Sequence, residues 1–260
     1  MNLDKKYIFF DLDGTLIDHS ENKVRDKTVE LLKLLKQNGH EIFIATGRPP
    51  SLFYGIDKEL GFDSFIAANG SIAVYKNQII LDEPINHEIV SKLVDYAYEN
   101  KIDVGFESFS DYVVNSRFSN FVDKFSDIFH LHYPEIKKDY HKTNSIYQMV
   151  LFHVESDYKK FEAMFPGLRF NYSNEYGLDI NKDGGLKERG IEAIKNYLNI
   201  DKKDIIAVGD GFNDISMIEY AGLGIAMGNA KDPVKQSADL VAEHISEDGL
   251  YKIFKKLNLI

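Results

Sequence analysis

Among the 260 residues of the chain there is no cysteine. That excludes a disulfide framework, a thiolate nucleophile and a cysteine-ligated zinc site, and it is compatible with a reducing compartment. The sequence also lacks any apolar run approaching the roughly 18 residues of a membrane span. Its first apolar stretch, Tyr7 to Phe10, is interrupted by Asp11 too early to serve as a signal-peptide core. A soluble, cytoplasmic protein with no membrane partner is the expectation. Basic residues are in deficit: 31 Lys and Arg against 41 Asp and Glu give a formal net charge of −10. Such a balance opposes general attraction to nucleic acid or anionic lipid, so an anionic substrate must be drawn by a local site. Tandem repeats and low-complexity tracts are missing too. What is there is ordinary globular composition, 44% hydrophobic and 28% charged, long enough for one large or two modest domains.

The opening run ends in two aspartates one residue apart and a Gly-Thr turn, Asp11 to Thr15. After it, Val24 to Gln37 carries Leu31, Leu34 and Leu35 at helical spacing and stops at Asn38-Gly39. Glu41 to Ala45 reads as a strand, Pro49-Pro50 as the opening of a second helix, and Ser64 to Ala68 as a third strand. Ser71 to Tyr75 and Gln78 to Leu81 flank Lys76-Asn77 as a hairpin. This alternation predicts an α/β fold, a parallel sheet covered by helices. From Pro84 the texture becomes α+β: a helix over His87 to Glu99, then strand-like stretches at Tyr112 to Val114, Ile146 to Val154 and Arg169 to Tyr172. The βα alternation resumes after Gly184-Gly185, with a helix over Leu186 to Leu198 and strands at Asp204 to Val208 and Leu223 to Met227. A short helix over Asp214 to Tyr220 and a closing amphipathic helix on Leu250, Ile253, Phe254 and Leu257 complete it. Residues 1–83 and 184–260 are therefore expected to build one sheet domain, with 84–183 as an inserted α+β domain.

Three strand ends of the sheet domain carry polar residues: DLDGT (Asp11 to Thr15), ATGR (Ala45 to Arg48) and GDGFND (Gly209 to Asp214). Ligands of open α/β sheets bind at the carboxyl ends of strands near a switch point, where these turns can converge. Asp11, at a strand tip, is placed to act as nucleophile on phosphorus. Asp13 can then protonate the leaving oxygen and later deprotonate water. Thr46 offers a hydroxyl and Gly47 close backbone N–H groups to a phosphate, and Lys187 supplies a compact positive charge. Adding Asp210 and Asp214 makes four carboxylates; two unit charges ~4 Å apart repel by about 4 kcal/mol at an effective dielectric of 20. One lysine does not balance that, so the set implies Mg²⁺ held by Asp11, Asp210 and the backbone carbonyl of Asp13, with Asp214 at the edge.

DLDGTL, the ATGR threonine, Lys187 and GDGFND together resemble the four motifs of the haloacid dehalogenase (HAD) superfamily of phosphatases. AANGS (Ala67 to Ser71), GIAMGNA (Gly224 to Ala230), SADLV (Ser237 to Val241) and EDGL (Glu247 to Leu250) resemble its Cof-type, sugar-phosphatase-like branch. One departure is that Lys187 lies in LKERG, with Glu188 where many relatives have Gly directly after the lysine. The resemblance implies a Rossmann-like core with a large α+β cap that sets substrate specificity. It also implies Mg²⁺-dependent hydrolysis of small phosphorylated metabolites, sugar phosphates or similar, through an aspartyl-phosphate. By position it makes Asp11 the nucleophile and Asp13 the acid/base, Thr46, Gly47, Lys187 and Asn213 phosphate ligands, and Asp210 a metal ligand beside Asp214. A phosphomutase shares the two aspartates and is the nearest alternative, and a non-catalytic phosphometabolite sensor is the alternative from another class. His130 and His132 form an H-x-H that could place both rings on one strand face. With no ligand cluster around them, they are read as surface or packing residues.

Overall fold

The structure, a computed structural model, describes residues 4–18, 23–153, 158–184 and 186–260. Val154, the end of a predicted strand, and Gly185 lie outside the described residues. The chain divides into two compact units, one of Met1–Gly47, Gly55–Asp82 and Leu186–Ile260, the other of Arg48–Tyr54 and Glu83–Gly185.

In the first unit β1 (Tyr7–Phe10) leads through the antiparallel pair β2 (Ile17–Asp18) and β3 (Lys23–Val24) into α1 (Asp26–Gln37). Next come β4 (Glu41–Ala45), α2 (Ile56–Glu59), β5 (Phe65–Ala67), β6 (Ile72–Tyr75) and β7 (Gln78–Asp82). The second unit holds α3 (His87–Glu99), β8 (Asp103–Glu107), β9 (Tyr112–Val114), α4 (Phe121–Phe129) and β10 (Glu135–Ile136). It continues with β11 (Gln148–Phe152), α5 (Tyr158–Met164), β12 (Leu168–Asn174) and β13 (Gly177–Lys182). The first unit is then completed by α6 (Lys187–Leu198), β14 (Ile205–Gly209), α7 (Ile215–Tyr220), β15 (Leu223–Ala226), α8 (Asp232–Gln236), β16 (Leu240–Val241) and α9 (Gly249–Lys256).

The eight-stranded sheet runs β16-β15-β14-β1-β4-β5-β6-β7. Pairing is parallel from β16 to β5, and the predicted hairpin, β6 and β7, extends it as an antiparallel edge. Ile8, Phe9 and Phe10 are all fully buried, because helices cover both faces of a parallel sheet and leave no polar side for β1 to show. On one face Phe9, Phe43, Ile66 and Ala207 pack against Ile191 and Ile194 of α6 and Met217 and Ile218 of α7. On the other, the Phe10 ring meets Phe254 of α9 at 5.5 Å, and α9 lies beside α1. The result is the three-layer α/β arrangement expected. β1 sits between β4 and β14; the chain runs outward from β1 to β4 and the other way from β14 to β15, so the carboxyl ends of β1 and β14 form the switch point at which ligands of open α/β sheets bind.

The second unit is a six-stranded sheet, β10-β9-β8-β11-β13-β12, antiparallel except for β10 on β9. One face packs Val104, Phe106, Met149, Leu151 and Phe170 against Leu93 of α3 and Phe161 of α5. On the opposite face Val122 and Phe125 of α4 cover Val114, Val150 and Phe152.

Several local expectations are corrected. Val24 is not the start of α1 but pairs with Ile17 in the β2–β3 ribbon. Pro49-Pro50 opens one 3₁₀ turn, Pro50–Leu52; Tyr54 and Gly55 then take positive φ values of 50° and 85°, which stops any helix before α2. Asp204 closes a 3₁₀ turn ahead of β14. His130 is no strand residue: with φ of 53° it caps α4, and the His132 ring packs 4.8 Å from that of Tyr54.

Candidate active site

At the tip of β1 the Asp11 backbone N–H still donates to the Val208 carbonyl of β14 at 2.9 Å, so the ladder holds the residue to the end of its rigid strand. Asp11 is 5% exposed. Lys187 opens α6, and a side chain in the first helical turn leans back toward the N-terminus, past the helix end. Its Nζ, fully buried, donates to Asp11 Oδ1 at 2.6 Å and to Asp214 Oδ1 at 2.5 Å. The other oxygen of Asp214, Oδ2, accepts from the backbone N–H groups of Asp210 at 2.9 Å and Gly211 at 2.8 Å. Asp214 thus ties Lys187 to the loop after β14.

Asp210 is held from the β1 side. The Thr15 hydroxyl donates to its Oδ1 at 3.0 Å, and Asn229 Nδ2 donates both to its Oδ2 at 3.1 Å and to the Gly14 carbonyl at 2.8 Å. Gly14 is required here: its φ is +87°, and a Cβ would stand 2.2 Å from Asp210 Oδ2. Beyond β4, buried Thr46 accepts through its carbonyl from the Asn69 N–H at 3.2 Å. A Cβ on Gly47 would lie 3.1 Å from Asn69 Oδ1 and 3.3 Å from Asn213 Nδ2, and Asn213 itself donates to Asn69 at 3.1 Å. Gly70, with φ of +89°, lets the chain pass so close to the start of α6 that a Cβ would sit 2.1 Å from the Leu186 carbonyl.

One oxygen each of Asp11, Asp210 and Asp214 fall within 4.8 Å of one another. Burial foremost, then the Asp214 charge, pushes the Asp11 carboxyl well above the usual carboxylate range, against the pull of Lys187. Burial works against the Lys187 ammonium, yet Asp11 and Asp214 outweigh it and hold the lysine above its ordinary value. Three carboxylates share one buried ammonium here, so the pocket is short of positive charge. A hard divalent cation bound through oxygen fits that donor set. Asp214 contributes least to it, since Lys187 and two N–H groups already occupy its oxygens.

Of the residues singled out by sequence, Asp11, Lys187, Asp210 and Asp214 come together as one cluster, and Gly47 and Asn213 meet through Asn69 beside Thr46. Asp13 stands in the turn, half-buried and bridged to Ile17, outside the carboxylate set. Sequence reasoning gave no role to Thr15, Asn69 or Asn229. All three lie inside quoted motifs, DLDGT, AANGS and GIAMGNA, which was the available signal.

The chain matches the family of haloacid dehalogenase-like hydrolases over residues 8–254. It is 36% identical over 260 residues to YkrA of Bacillus subtilis strain 168, a protein provisionally named a phosphatase, covering 99% of this chain and all of that one. Among solved structures, a hypothetical protein from Geobacillus kaustophilus HTA426 superposes with a TM-score of 0.95 at 33% identity, over 98% of this chain and 100% of the other. The HAD subclass IIB sugar phosphatase BT4131 superposes with a TM-score of 0.82 at 30% identity, again over 98% and 100%. The chain belongs to the haloacid dehalogenase-like hydrolase family. Among the described residues no helix is long and apolar enough to cross a membrane.

Proposed function

We propose that this HAD-type phosphatase is a cytoplasmic, Mg²⁺-dependent phosphomonoester hydrolase acting on small phosphorylated metabolites, sugar phosphates or similar, through an aspartyl-phosphate on Asp11. The observation that carries the reading is the buried carboxylate at the β1 tip, engaged by Lys187 on Oδ1 while Oδ2 makes no hydrogen bond among the described residues. Oδ2 attacks phosphorus as the bond to the leaving oxygen breaks, and Asp13 gives that oxygen a proton. Asp13 then takes a proton from water, whose oxygen attacks phosphorus and displaces Asp11, freeing inorganic phosphate. Thr46, Gly47, Asn213 and Lys187 hold the phosphate oxygens and screen their charge. Asp11, Asp210 and the Asp13 carbonyl, with Asp214 at the edge, would hold Mg²⁺, which would supply the positive charge that the carboxylates and a phosphate dianion together require. Residues 84–183 are read as a cap that sets specificity, and the likeness to a sugar phosphatase supports the substrate class.

The test is phosphate release from a panel of metabolite phosphates with Mg²⁺ and with chelator, alongside Asp11→Asn. The reading expects metal-dependent release that the variant loses. Release that survives in Asp11→Asn would refute it, and isomerised product without phosphate would identify a mutase instead.

A further inference from the structure

Two helices of the first unit start on residues that do not cap them. Arg25 stands at the N-cap of α1 and Asp248 at the N-cap of α9, and neither side chain bonds to the first turn of its own helix. Serine, threonine, asparagine or aspartate is the usual choice there, because a short side-chain oxygen can accept from the free N–H groups of that turn. An arginine has no acceptor to offer, and an aspartate turned away forgoes the bond. The two meet each other instead: Arg25 Nε donates to Asp248 Oδ1 at 3.1 Å. Nη1 of the same guanidinium reaches Asp18 Oδ2 at 3.4 Å, and Asp18 is buried. A local preference given up at both helix starts points to a use elsewhere.

That use lies in the turn that carries Asp13. Asp13 is bridged to Ile17, the Gly14 N–H donates to the Ile17 carbonyl at 2.9 Å, and the Ile17 N–H donates to the Leu12 carbonyl at 2.8 Å. The backbone on both sides of Asp13 is therefore bonded to β2. Ile17 and Asp18 are the whole of that strand, and they pair with Val24 and Lys23 of β3. Arg25 follows β3 directly and grips the Asp18 carboxylate of β2, so one guanidinium fastens both strands of the ribbon to Asp248 at the head of α9. α9 is seated in turn on β1, where Phe254 meets Phe10, the residue before Asp11. The planar fork of an arginine holds two carboxylates in fixed directions, which the single ammonium of a lysine does not.

We propose that Arg25 is a positioning residue for Asp13: by clamping the β2–β3 ribbon to α9 it holds the Asp13 carboxyl where it protonates the leaving oxygen. This rests on the acid/base role given to Asp13 above. A general acid matters in proportion to the leaving group's need for a proton. An alkoxide needs one to depart, and 4-nitrophenolate leaves readily without. A misplaced Asp13 therefore slows alkyl esters far more than aryl esters, whereas damage to the fold, the metal site or the phosphate site slows both alike.

The test compares kcat/KM for the best alkyl ester among metabolite phosphates with kcat/KM for 4-nitrophenyl phosphate, in wild type, Arg25→Ser, Arg25→Lys and, as reference, Asp13→Asn. Arg25→Ser gives α1 a capping side chain while removing the clamp. Its ratio of alkyl to aryl ester is expected to fall by about tenfold, in the direction of Asp13→Asn, with Arg25→Lys in between. Asp248→Asn tolerates the left-handed φ of 58° and removes the outer carboxylate, so it should lower the same ratio; it decides the matter if Arg25→Ser does not fold. An unchanged ratio, including an equal loss on both esters, overturns the positioning role. Wild type that cleaves only the aryl ester has no working acid to position and overturns it as well. A wild-type ratio in Asp13→Asn sinks instead the acid/base reading, and release from neither ester sinks the phosphatase reading, each taking the proposal with it.

Discussion

Lys187 is enclosed by Asp11 and Asp214 with no exposed surface of its own. Replacing it by Met would leave two buried carboxylates facing each other without their cation. Breaking a buried ion pair from one side costs about 3–5 kcal/mol, so Lys187→Met should lower the free energy of unfolding in denaturant by that much as well as abolish phosphate release. A loss below 1 kcal/mol would mean that the lysine does not balance this cluster. Asn229 acts differently, by bracing Asp210 and Gly14 from behind. Groups that orient a metal ligand are worth about 10–100-fold in metal affinity. Asn229→Ala should therefore raise the Mg²⁺ concentration for half-maximal activity about tenfold with a smaller effect at saturation; an unmoved Mg²⁺ titration would refute the bracing role. These two residues differ in legibility. Lys187 could be picked out because an ammonium near phosphate chemistry has a meaning by itself. Asn229 has its meaning only through partners more than 200 residues earlier and 19 residues earlier in the chain, which one sequence does not display.

At the scale of elements, α6 must lie close to the sheet for Lys187 to reach Asp11. Gly190 makes that approach: a Cβ there would stand 2.5 Å from Ile66 Cγ2 on β5, which is fully buried. Overpacking of this kind costs about 1–3 kcal/mol. Gly190→Ala should lower the unfolding midpoint accordingly, and adding Ile66→Ala should recover part of that loss rather than sum with it. Simple additivity in a double-mutant cycle would show that the two sites are not in contact. Strands such as β1, β4 and β14 were readable because burial on both faces demands uninterrupted apolar runs. The segment after Pro49-Pro50 was not: proline permits a helix start, but Tyr54 and Gly55 end it with positive φ, and the partner of Tyr54, His132, lies far along the chain. The β2–β3 ribbon was likewise hidden, since a two-residue strand is too short to show a period.

At the scale of the whole molecule, Glu107 gives stability a pH dependence. Burial, with Asp179 adding to it, lifts its carboxyl to about 8 when folded, against an ordinary glutamate value near 4.5 when unfolded. Between those values the folded state binds a proton that the unfolded state has released, so stability falls as pH rises through that window and levels off above it. The slope is about 1.4 kcal/mol per pH unit at most. Thermal unfolding followed across this range should show wild type losing ground to Glu107→Gln; parallel curves would refute the assignment. The larger account is that the first unit's buried strand tip is a phosphoryl acceptor. Acid quenching of the enzyme during turnover of its best phosphate ester, then borohydride reduction and peptide mapping, tests that most directly. An acyl phosphate on Asp11 is reduced to homoserine, so conversion at residue 11 that depends on substrate and Mg²⁺ is the expected result. Rapid phosphate release with Asp11 never converted, or with conversion at another residue, would contradict it.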